Sequence, residues 1–375
     1  MSRIVDGISQ AGSIRVNQEV ADLRRQGKDV TVLSLGEAFF DIPMFDFGKL
    51  DFTLGYHYSD SRGVPSLRRR IAGHYAERHG VHASPDRNVV VSTGSKTCIY
   101  LALMAILAPG DEVLVQEPYW LSYPAQVKLA GGVPVAMPHW TLPTSFEEHF
   151  TPKTRVVILN NPNNPAGSAY SERALRHILA TCQRHGAMLL VDEAYSDFCL
   201  DGSFVSAGRV DPTLDNVVVV NSLSKNMGMS GWRLGYVMSH ARLIEDILKI
   251  NQHLVTCAPT VLQMYCDMYF DDIHRCVAPQ VRAVVEKRER LRGAMSRLGL
   301  EVMDGASTFY FMLDIRRSGL GSEAYAERLL RERSIAVVPG RYYGASTDHF
   351  VRIGIGTEPE PRIEAALAQI RQTLG

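Results

Sequence analysis

The stretch Asn216-Val-Val-Val-Val-Asn-Ser-Leu-Ser-Lys225-Asn-Met-Gly-Met-Ser-Gly-Trp-Arg233-Leu-Gly235 decides the fold prediction for this 375-residue chain. Its β-branched run, residues 217–220, predicts a buried strand. Lys225 follows the carboxyl end of that strand, where removal from water favours the neutral, nucleophilic form of an amine. Ser222 and Arg233 supply the hydrogen-bond donors and the positive charge that a phosphate requires. The stretch therefore predicts a strand that delivers a reactive amine to an anion-binding turn.

Similar strands recur on the amino-terminal side of this stretch and alternate with helical patterns. The predicted strands are residues 88–92, 112–116, 155–160, 188–191 and 217–220. The clearest intervening helix is 172–184, for which Ser171 is the expected N-cap. This alternation predicts an α/β fold with a mainly parallel sheet that helices cover on both faces.

The two ends of the chain show different patterns. A strand at 30–35 follows an amphipathic helix predicted at 16–26, and a long helix is predicted from about 281 to 298. The remaining strands and helices indicate a smaller α+β unit. We predict an amino-terminal arm with part of the small domain at 1–45, a large domain at 46–280, and a small domain at 281–375.

Composition argues against several functional classes. The chain has 40 basic and 40 acidic residues, so no charge excess favours a nucleic acid or an anionic membrane. No apolar run approaches the length that spans a bilayer. The six cysteines form no Cys-x-x-Cys pair, which favours reduced thiols in the cytoplasm. The twelve histidines show no ligand spacing, and we predict no metal.

Polar and aromatic residues follow the predicted strands, and ligands of open α/β sheets lie beyond the carboxyl ends of the strands. Gly94-Ser95-Lys96 opens a helix and offers backbone N–H groups to an anion. Trp120 offers an indole to cover a flat ring, and Asn164 has an amide that donates to an oxyanion. The carboxylate of Asp192 can keep a pyridine nitrogen protonated, because an opposite charge shifts a pKa by roughly 1–3 units.

Taken singly, these residues also fit a helix cap, a core side chain or a turn. Their agreement on one ligand favours a shared site. Together with the amine of Lys225, they match pyridoxal 5′-phosphate held as a Schiff base.

The ordered motifs of the chain resemble those of class I/II aminotransferases, which belong to the fold type I family of pyridoxal-phosphate enzymes. The similarity covers nearly the whole chain. The motifs that carry it are Gly36-Glu37, Tyr58 before Arg62-Gly63-Val64-Pro65, Gly94-Ser95-Lys96, Pro118-Tyr119-Trp120 with Tyr123, Asn163-Asn164-Pro165 with Gly167, Asp192-Glu193 with Tyr195, Ser222 with Ser224-Lys225, Gly231-Trp232-Arg233 with Gly235-Tyr236, Val338-Pro339-Gly340, and Val351-Arg352-Ile353. The resemblance implies a large domain with a seven-stranded sheet and a homodimer with shared active sites.

The resemblance also implies a role for each motif residue. Lys225 forms the Schiff base and shuttles the proton, and Asp192 pairs with the pyridine nitrogen. Asn164 and Tyr195 bond the phenolic oxygen, and Trp120 stacks on the ring. The implied phosphate ligands are Ser95, Lys96 through its backbone, Ser222, Arg233, and Tyr58 of the partner subunit. The implied ligands of the substrate carboxylate are Arg352, Asn164 and the Gly36 backbone.

The chain departs from the family pattern near the expected substrate side chain. The usual Gly-Glu-Pro-Asp-Phe reads Gly-Glu-Ala-Phe-Phe at 36–40, the segment 304–308 lacks the common Pro-x-Gly-Ala pattern, and 137–153 is short. No motif places a second arginine for a distal carboxylate, so a dicarboxylate specialist is not favoured. Phe39, Phe40 and Tyr123 would accept a large side chain, whereas Asp60 would meet a basic one.

These departures leave the reaction type open. The prediction is transamination between an L-amino acid and a 2-oxo acid. The first alternative is another pyridoxal-phosphate reaction, by a lyase, cyclase, decarboxylase or oxidase, because one fold supports many chemistries. The second is a binding protein without turnover, although the expected catalytic positions are filled.

Overall fold

The structure, a computed structural model, describes residues 6–8, 10 and 12–375. The remaining part of the predicted amino-terminal arm lies outside the described residues. The strands are β1 Thr31–Val32, β2 Val89–Ser92, β3 Glu112–Gln116, β4 Val133–Met137, β5 Thr154–Asn160, β6 Met188–Asp192, β7 Val217–Ser222, β8 Gly235–Met238, β9 Tyr310–Asp314, β10 Ile335–Ala336, β11 Val338–Pro339 and β12 Phe350–Gly354.

The described residues also form α-helices before, between and after these strands. They are α1 Gly12–Arg25, α2 Phe52–Gly55, α3 Pro65–His79, α4 Ser95–Ile106, α5 Tyr123–Leu129, α6 Glu172–Arg184, α7 Ala207–Val210, α8 Leu223–Asn226, α9 Ala241–Leu254, α10 Thr260–Met268, α11 Phe270–Arg297, α12 Ser322–Arg333 and α13 Glu360–Thr373. None of them combines the length and the apolar character that crossing a bilayer requires.

The seven-stranded sheet has the order β2-β8-β7-β6-β5-β3-β4. Strands β7, β6, β5, β3 and β4 run parallel, and β8 runs antiparallel to both of its neighbours. Every residue of β2, β7 and β8 is buried, as expected for strands covered on both faces. The predicted α/β class with a mainly parallel sheet is confirmed.

Strands β4 and β8 were not among the strands predicted from the sequence. Strand β4 lies at the sheet edge, contains Pro134 and leaves Val133 46% exposed, so it lacks the apolar signature of a buried strand. Strand β8 is four residues long and begins at Gly235. The predicted strand at 30–35 is reduced to the two residues of β1.

A second, smaller group of strands joins the two ends of the chain. Strands β11, β12 and β9 form an antiparallel sheet, and β1 pairs in parallel with β10. The long helix α11 starts at Phe270, eleven residues before the predicted start, because buried positions keep helical spacing on both sides of Pro279. The domain boundaries at 45 and 280 stay a prediction, and the second of them falls inside α11.

The helix predicted at 172–184 agrees with the structure in both bounds, and the helix predicted at 16–26 agrees less closely. Helix α6 has the predicted bounds, and the Ser171 hydroxyl accepts the N–H of Ala174 at 3.2 Å. Helix α1 begins four residues before its predicted start and ends one residue before its predicted end. All six cysteines are free, three of them buried, in agreement with the prediction of reduced thiols.

Candidate active site

A cavity of about 530 Å³ opens at the carboxyl ends of β5, β6 and β7. Eleven of the twelve predicted site residues line it. They are Gly36, Ser95, Lys96, Trp120, Asn164, Asp192, Tyr195, Ser222, Lys225, Arg233 and Arg352. The fold therefore brings together residues that lie up to 316 positions apart in the sequence, Gly36 and Arg352.

Lys225 is presented by a short helix that follows β7 directly. Ser222 ends β7 in an extended conformation and caps α8 by accepting the N–H of Ser224 at 3.3 Å. The Lys225 ammonium donates to the backbone oxygen of Gly36 at 2.8 Å. Burial lowers the pKa of Lys225 to about 8, so a fraction of the amine is neutral at physiological pH.

Asp192 lies at the end of β6 and is 5% exposed. Its carboxylate accepts the Tyr123 hydroxyl at 2.8 Å and the N–H of Ala194 at 3.1 Å, and both donors are uncharged. Burial raises the pKa of Asp192 to about 6. A cationic ligand in the cavity would lower that pKa again and stabilise the carboxylate.

Two glycines shape the anion-binding turn where β2 passes into α4. A Cβ added to Gly235 would lie 2.4 Å from the backbone nitrogen of Ser95, and a Cβ on Gly94 would lie 2.5 Å from Nη2 of Arg233. Gly94 also has φ +87°, a conformation that other residues rarely adopt. The turn thus exposes first-turn N–H groups of a helix beside a guanidinium, the arrangement that binds phosphate.

Lys96 contributes a side chain as well as its backbone to this cavity. Its ammonium lies 4.9 Å from the centre of the Trp120 ring, a cation–π distance. Burial and the charge of Arg233 lower the pKa of Lys96. The Trp120 ring meets Tyr123 edge to face at 5.4 Å, which fixes one side of the indole.

Asn164 and Tyr195 form a polar group that includes a residue absent from the sequence prediction. The Asn164 amide lies 3.4 Å from the Tyr195 hydroxyl, which lies 3.0 Å from the hydroxyl of Tyr310. The Oδ1 atom of Asn164 is buried without a hydrogen-bond partner among the described residues. A buried polar atom of this kind favours a ligand that completes the bonding.

Arg352 is 3% exposed and extends from the middle of β12. Its Nη2 donates to the backbone oxygen of Ser34 at 2.6 Å, and its guanidinium lies 4.6 Å from the Tyr310 ring centre. Its Nε is buried and has no hydrogen-bond partner among the described residues. A carboxylate in the cavity would satisfy that donor, because guanidinium and carboxylate pair side by side.

Tyr58 is the one predicted residue that the fold leaves apart from the cavity. It is 85% exposed and lines a separate apolar cavity of about 600 Å³ together with Asp60. Phe39 is 69% exposed, and Tyr123 is buried beneath Asp192. Phe39, Phe40, Tyr123 and Asp60 do not line the cavity around Lys225 either, so within one protomer they do not form the predicted wall for the substrate side chain.

Several cavity residues were missed by the sequence prediction. Ser13, Ile14 and Asn17 of α1 line the cavity opposite the strand ends. No local motif marks them, because their position depends on how α1 packs. The sequence held a usable signal for Tyr310, which lies two residues after the segment 304–308 in which the chain departs from the family pattern.

Pyridoxal 5′-phosphate fits these residues on three independent features. The turn at Gly94 has room and donors for a phosphate, the buried carboxylate of Asp192 has only uncharged donors, and burial lowers the pKa of the Lys225 amine to about 8. The first feature would bind the phosphate of the cofactor, the second its pyridine nitrogen and the third its aldehyde.

Comparison with known proteins identifies the family. The family of class I and II aminotransferases matches residues 27–370. The probable aspartate/prephenate aminotransferase of Thermus aquaticus is 32% identical over 397 residues, with 100% of this chain and 99% of that protein covered. The aromatic-amino-acid aminotransferase 2 of Thermococcus litoralis is 29% identical, with 95% of each covered.

The solved structures agree with this result. The aspartate aminotransferase from Thermus thermophilus, determined with maleate, has a TM-score of 0.90 and 29% identity, with 100% of this chain and 99% of that chain covered. Members of the family depend on pyridoxal 5′-phosphate. The chain therefore belongs to the class I and II aminotransferases and is a pyridoxal-phosphate-dependent enzyme of that family.

Proposed function

We propose that this enzyme moves an amino group between an L-amino acid and a 2-oxo acid by a ping-pong mechanism in which Lys225 carries the α-proton. The observation that carries the proposal is the buried amine of Lys225, with a pKa of about 8, in one cavity with the unsatisfied guanidinium donor of Arg352. The amine of Lys225 acts on the α-carbon of the substrate, while the guanidinium of Arg352 holds the neighbouring carboxylate.

The proposed roles of the remaining residues follow from their chemistry. Ser95, Lys96, Ser222 and Arg233 hold the cofactor phosphate, and Trp120 covers one face of the ring. Asn164 and Tyr195 bond its phenolic oxygen, and Asp192 pairs with the ring nitrogen. When bound, pyridoxal 5′-phosphate supplies an aldehyde that takes up the amino group and a ring that withdraws electrons from the α-carbon.

Arg352 orients the substrate before proton transfer. Tyr310 lies against its guanidinium, and the Ser34 carbonyl fixes Nη2, so the free Nε edge has one direction in which to bind a carboxylate. The Gly36 backbone and the Asn164 amide complete the proposed carboxylate site. Fixing the carboxylate in this way brings the α-carbon to the amine of Lys225 and removes the entropic cost of orientation from the reaction step.

Lys225 acts as general base and then as general acid. Its pKa of about 8 lies close to physiological pH, where an amine both accepts and returns a proton efficiently. Replacement of Lys225 by alanine should abolish turnover. Near-normal half-reaction rates in that variant would refute the assignment.

We also propose a homodimer in which Tyr58 of the partner subunit completes each cofactor site. Support comes from the exposure of Tyr58, which lines one apolar cavity with the exposed side chains of Leu54 and Met268. An exposed apolar surface of this kind is common at interfaces between proteins. In a symmetric dimer each subunit offers this surface to its partner.

Mixing two inactive proteins tests this arrangement. Dimers of Tyr58→Ala and of Lys225→Ala each lack one essential group, whereas a hybrid has one complete site if Tyr58 acts across the interface. Random reassembly should restore about a quarter of the wild-type activity. Absence of any recovery, with hybrid formation verified by two affinity tags, would contradict the shared site.

For the amino donor, we propose an uncharged side chain. The cations that line the cavity, Lys96, Lys225, Arg233 and Arg352, all have proposed roles at the cofactor or the α-carboxylate. The walls left for the substrate side chain include Ile14 and Leu121, which favour apolar contact. The relatives named for aspartate and for aromatic amino acids define the donors to be compared.

A half-reaction screen tests both the reaction type and the donor. Adding one amino acid to the enzyme should convert the bound cofactor stoichiometrically to its pyridoxamine form, fastest for uncharged donors. Fastest conversion by aspartate would contradict the donor proposal alone. Release of ammonia or peroxide during turnover would favour a different pyridoxal-phosphate reaction.

We place the enzyme in the cytoplasm, where its free cysteines stay reduced.

A further inference from the structure

A cluster of histidine and carboxylate side chains lies outside the cavity described above. His74 and His79 come from the last part of α3, and Asp197 comes from the short helical turn Ser196–Phe198. One ligand atom from each of these three residues lies within 4.8 Å of the other two. The His74 ring also lies 5.1 Å from the ring of His274 in α11.

Two polar atoms of the cluster, one from His79 and one from Asp197, are buried and unpaired among the described residues. Nε2 of His79 and Oδ1 of Asp197 have no hydrogen-bond partner among the described residues. The Asp197 side chain is only 7% exposed. A buried carboxylate oxygen and a buried imidazole nitrogen that both lack partners are costly, unless a ligand binds them together.

We propose that His74, His79 and Asp197 bind a divalent first-row transition-metal ion, for which Zn²⁺ is the natural probe. Two imidazole nitrogens and one carboxylate oxygen suit Zn²⁺ and its neighbours, and a set of three protein ligands leaves a fourth position for water. Ligand atoms around Zn²⁺ lie about 3.4 Å apart for bond lengths of about 2.1 Å. Small side-chain rotations therefore close the cluster on the ion.

His274 acts as a positioning residue for Asp197. The Arg78 guanidinium contacts Nε2 of His274 and can only donate, so the proton of the neutral ring belongs on Nδ1. That Nδ1 lies 3.9 Å from Oδ2 of Asp197. A modest approach would make a hydrogen bond that orients the carboxylate, as outer partners commonly do for metal ligands.

The site lies next to the segments that carry Tyr195 and Lys225. Asp197 follows Tyr195 by two residues, and its N–H donates to the side chain of Asn226 at 3.2 Å. Asn226 is the neighbour of Lys225 in α8. A bound ion would therefore tie α3 to the two segments that carry Tyr195 and Lys225, and it is expected to stabilise the fold without touching the substrate.

Titration of the holoenzyme with Zn²⁺ tests the site. After removal of bound metal with a chelator, isothermal titration calorimetry should show one Zn²⁺ per chain, and Zn²⁺ should raise the melting temperature. His79→Ala and Asp197→Asn should abolish both effects. His274→Gln should weaken binding by roughly tenfold to hundredfold. The matched control is His82→Ala, which removes a nearby exposed histidine and should bind like wild type.

The visible absorption of the bound cofactor reports folding in each variant, and Asp197→Asn keeps the shape of the side chain if His79→Ala fails to fold. Co²⁺ gives an independent signal, because its visible spectrum changes with nitrogen ligation. The proposal is wrong if the wild type takes up no Zn²⁺, or if His79→Ala and Asp197→Asn bind as the wild type does. None of these results depends on the substrate of the enzyme.

Discussion

Replacing Lys225 by methionine in the cofactor-free enzyme should stabilise the protein at neutral pH. Burial lowers the pKa of Lys225 from 10.5 to about 8, so the folded state disfavours the ammonium that the unfolded chain carries freely. At 1.36 kcal/mol per pKa unit, this difference costs about 3 kcal/mol at pH 7. Methionine has a similar length but carries no charge.

The substitution also removes a hydrogen bond. The Lys225 ammonium donates to the Gly36 carbonyl at 2.8 Å, and leaving that oxygen without a partner costs about 1 kcal/mol. The expected net gain at pH 7 is therefore about 2 kcal/mol in the free energy of unfolding. Since single substitutions usually destabilise, a gain of this size at a catalytic position is a distinctive result.

The pH dependence isolates the electrostatic part. Between pH 8 and pH 10.5 the unfolded state binds more protons at this lysine than the folded state, so the wild type gains stability as the pH rises through that window. The advantage of the methionine variant should fall to about zero near pH 10. Other groups titrate alike in both proteins and cancel in the difference.

Urea denaturation of both cofactor-free proteins at pH 7 and pH 10, followed by tryptophan fluorescence, measures this difference. An equal difference in unfolding free energy at the two pH values would show that Lys225 is not desolvated. A methionine variant less stable than the wild type at pH 7 would refute the reasoning as well.

Three further substitutions test the cofactor and substrate sites. Arg352→Lys should raise KM for the amino acid by roughly tenfold to hundredfold, because an ammonium cannot pair side by side with a carboxylate; an unchanged KM in steady-state kinetics would contradict this role. Asp192→Asn should lower kcat by roughly tenfold to thousandfold while the cofactor stays bound, since a neutral amide does not hold a proton on the ring nitrogen. Stopped-flow measurement of the half-reactions gives the loss, and half-reaction rates equal to those of the wild type would contradict this role. Gly94→Ala should weaken cofactor binding, because its Cβ would lie 2.5 Å from Nη2 of Arg233. Fluorescence titration with the cofactor measures this binding. The control is Gly73→Ala, because a Cβ at Gly73 meets no neighbouring atom.

Much of the cofactor site was predictable because its parts are local. A β-branched strand followed by Ser222 and Lys225, or an apolar strand that ends in Asp192, specifies both an element and the residue at its end. The carboxyl ends of parallel strands meet at one edge, so correct strands imply a correct site. The resemblance to a family added Arg352, which no local pattern connects to Lys225.

The sequence by itself therefore determined the α/β class, the strand ends and the chemistry that they carry, because hydrophobic periodicity and turn residues act over a few positions. Only the tertiary structure decided which distant segments meet. In the structure β1 pairs with β10, Ile14 lines the cavity, Tyr58 is exposed, and His74 lies close to Asp197. Such contacts depend on how whole faces of helices and sheets pack, and no spacing within the chain encodes them.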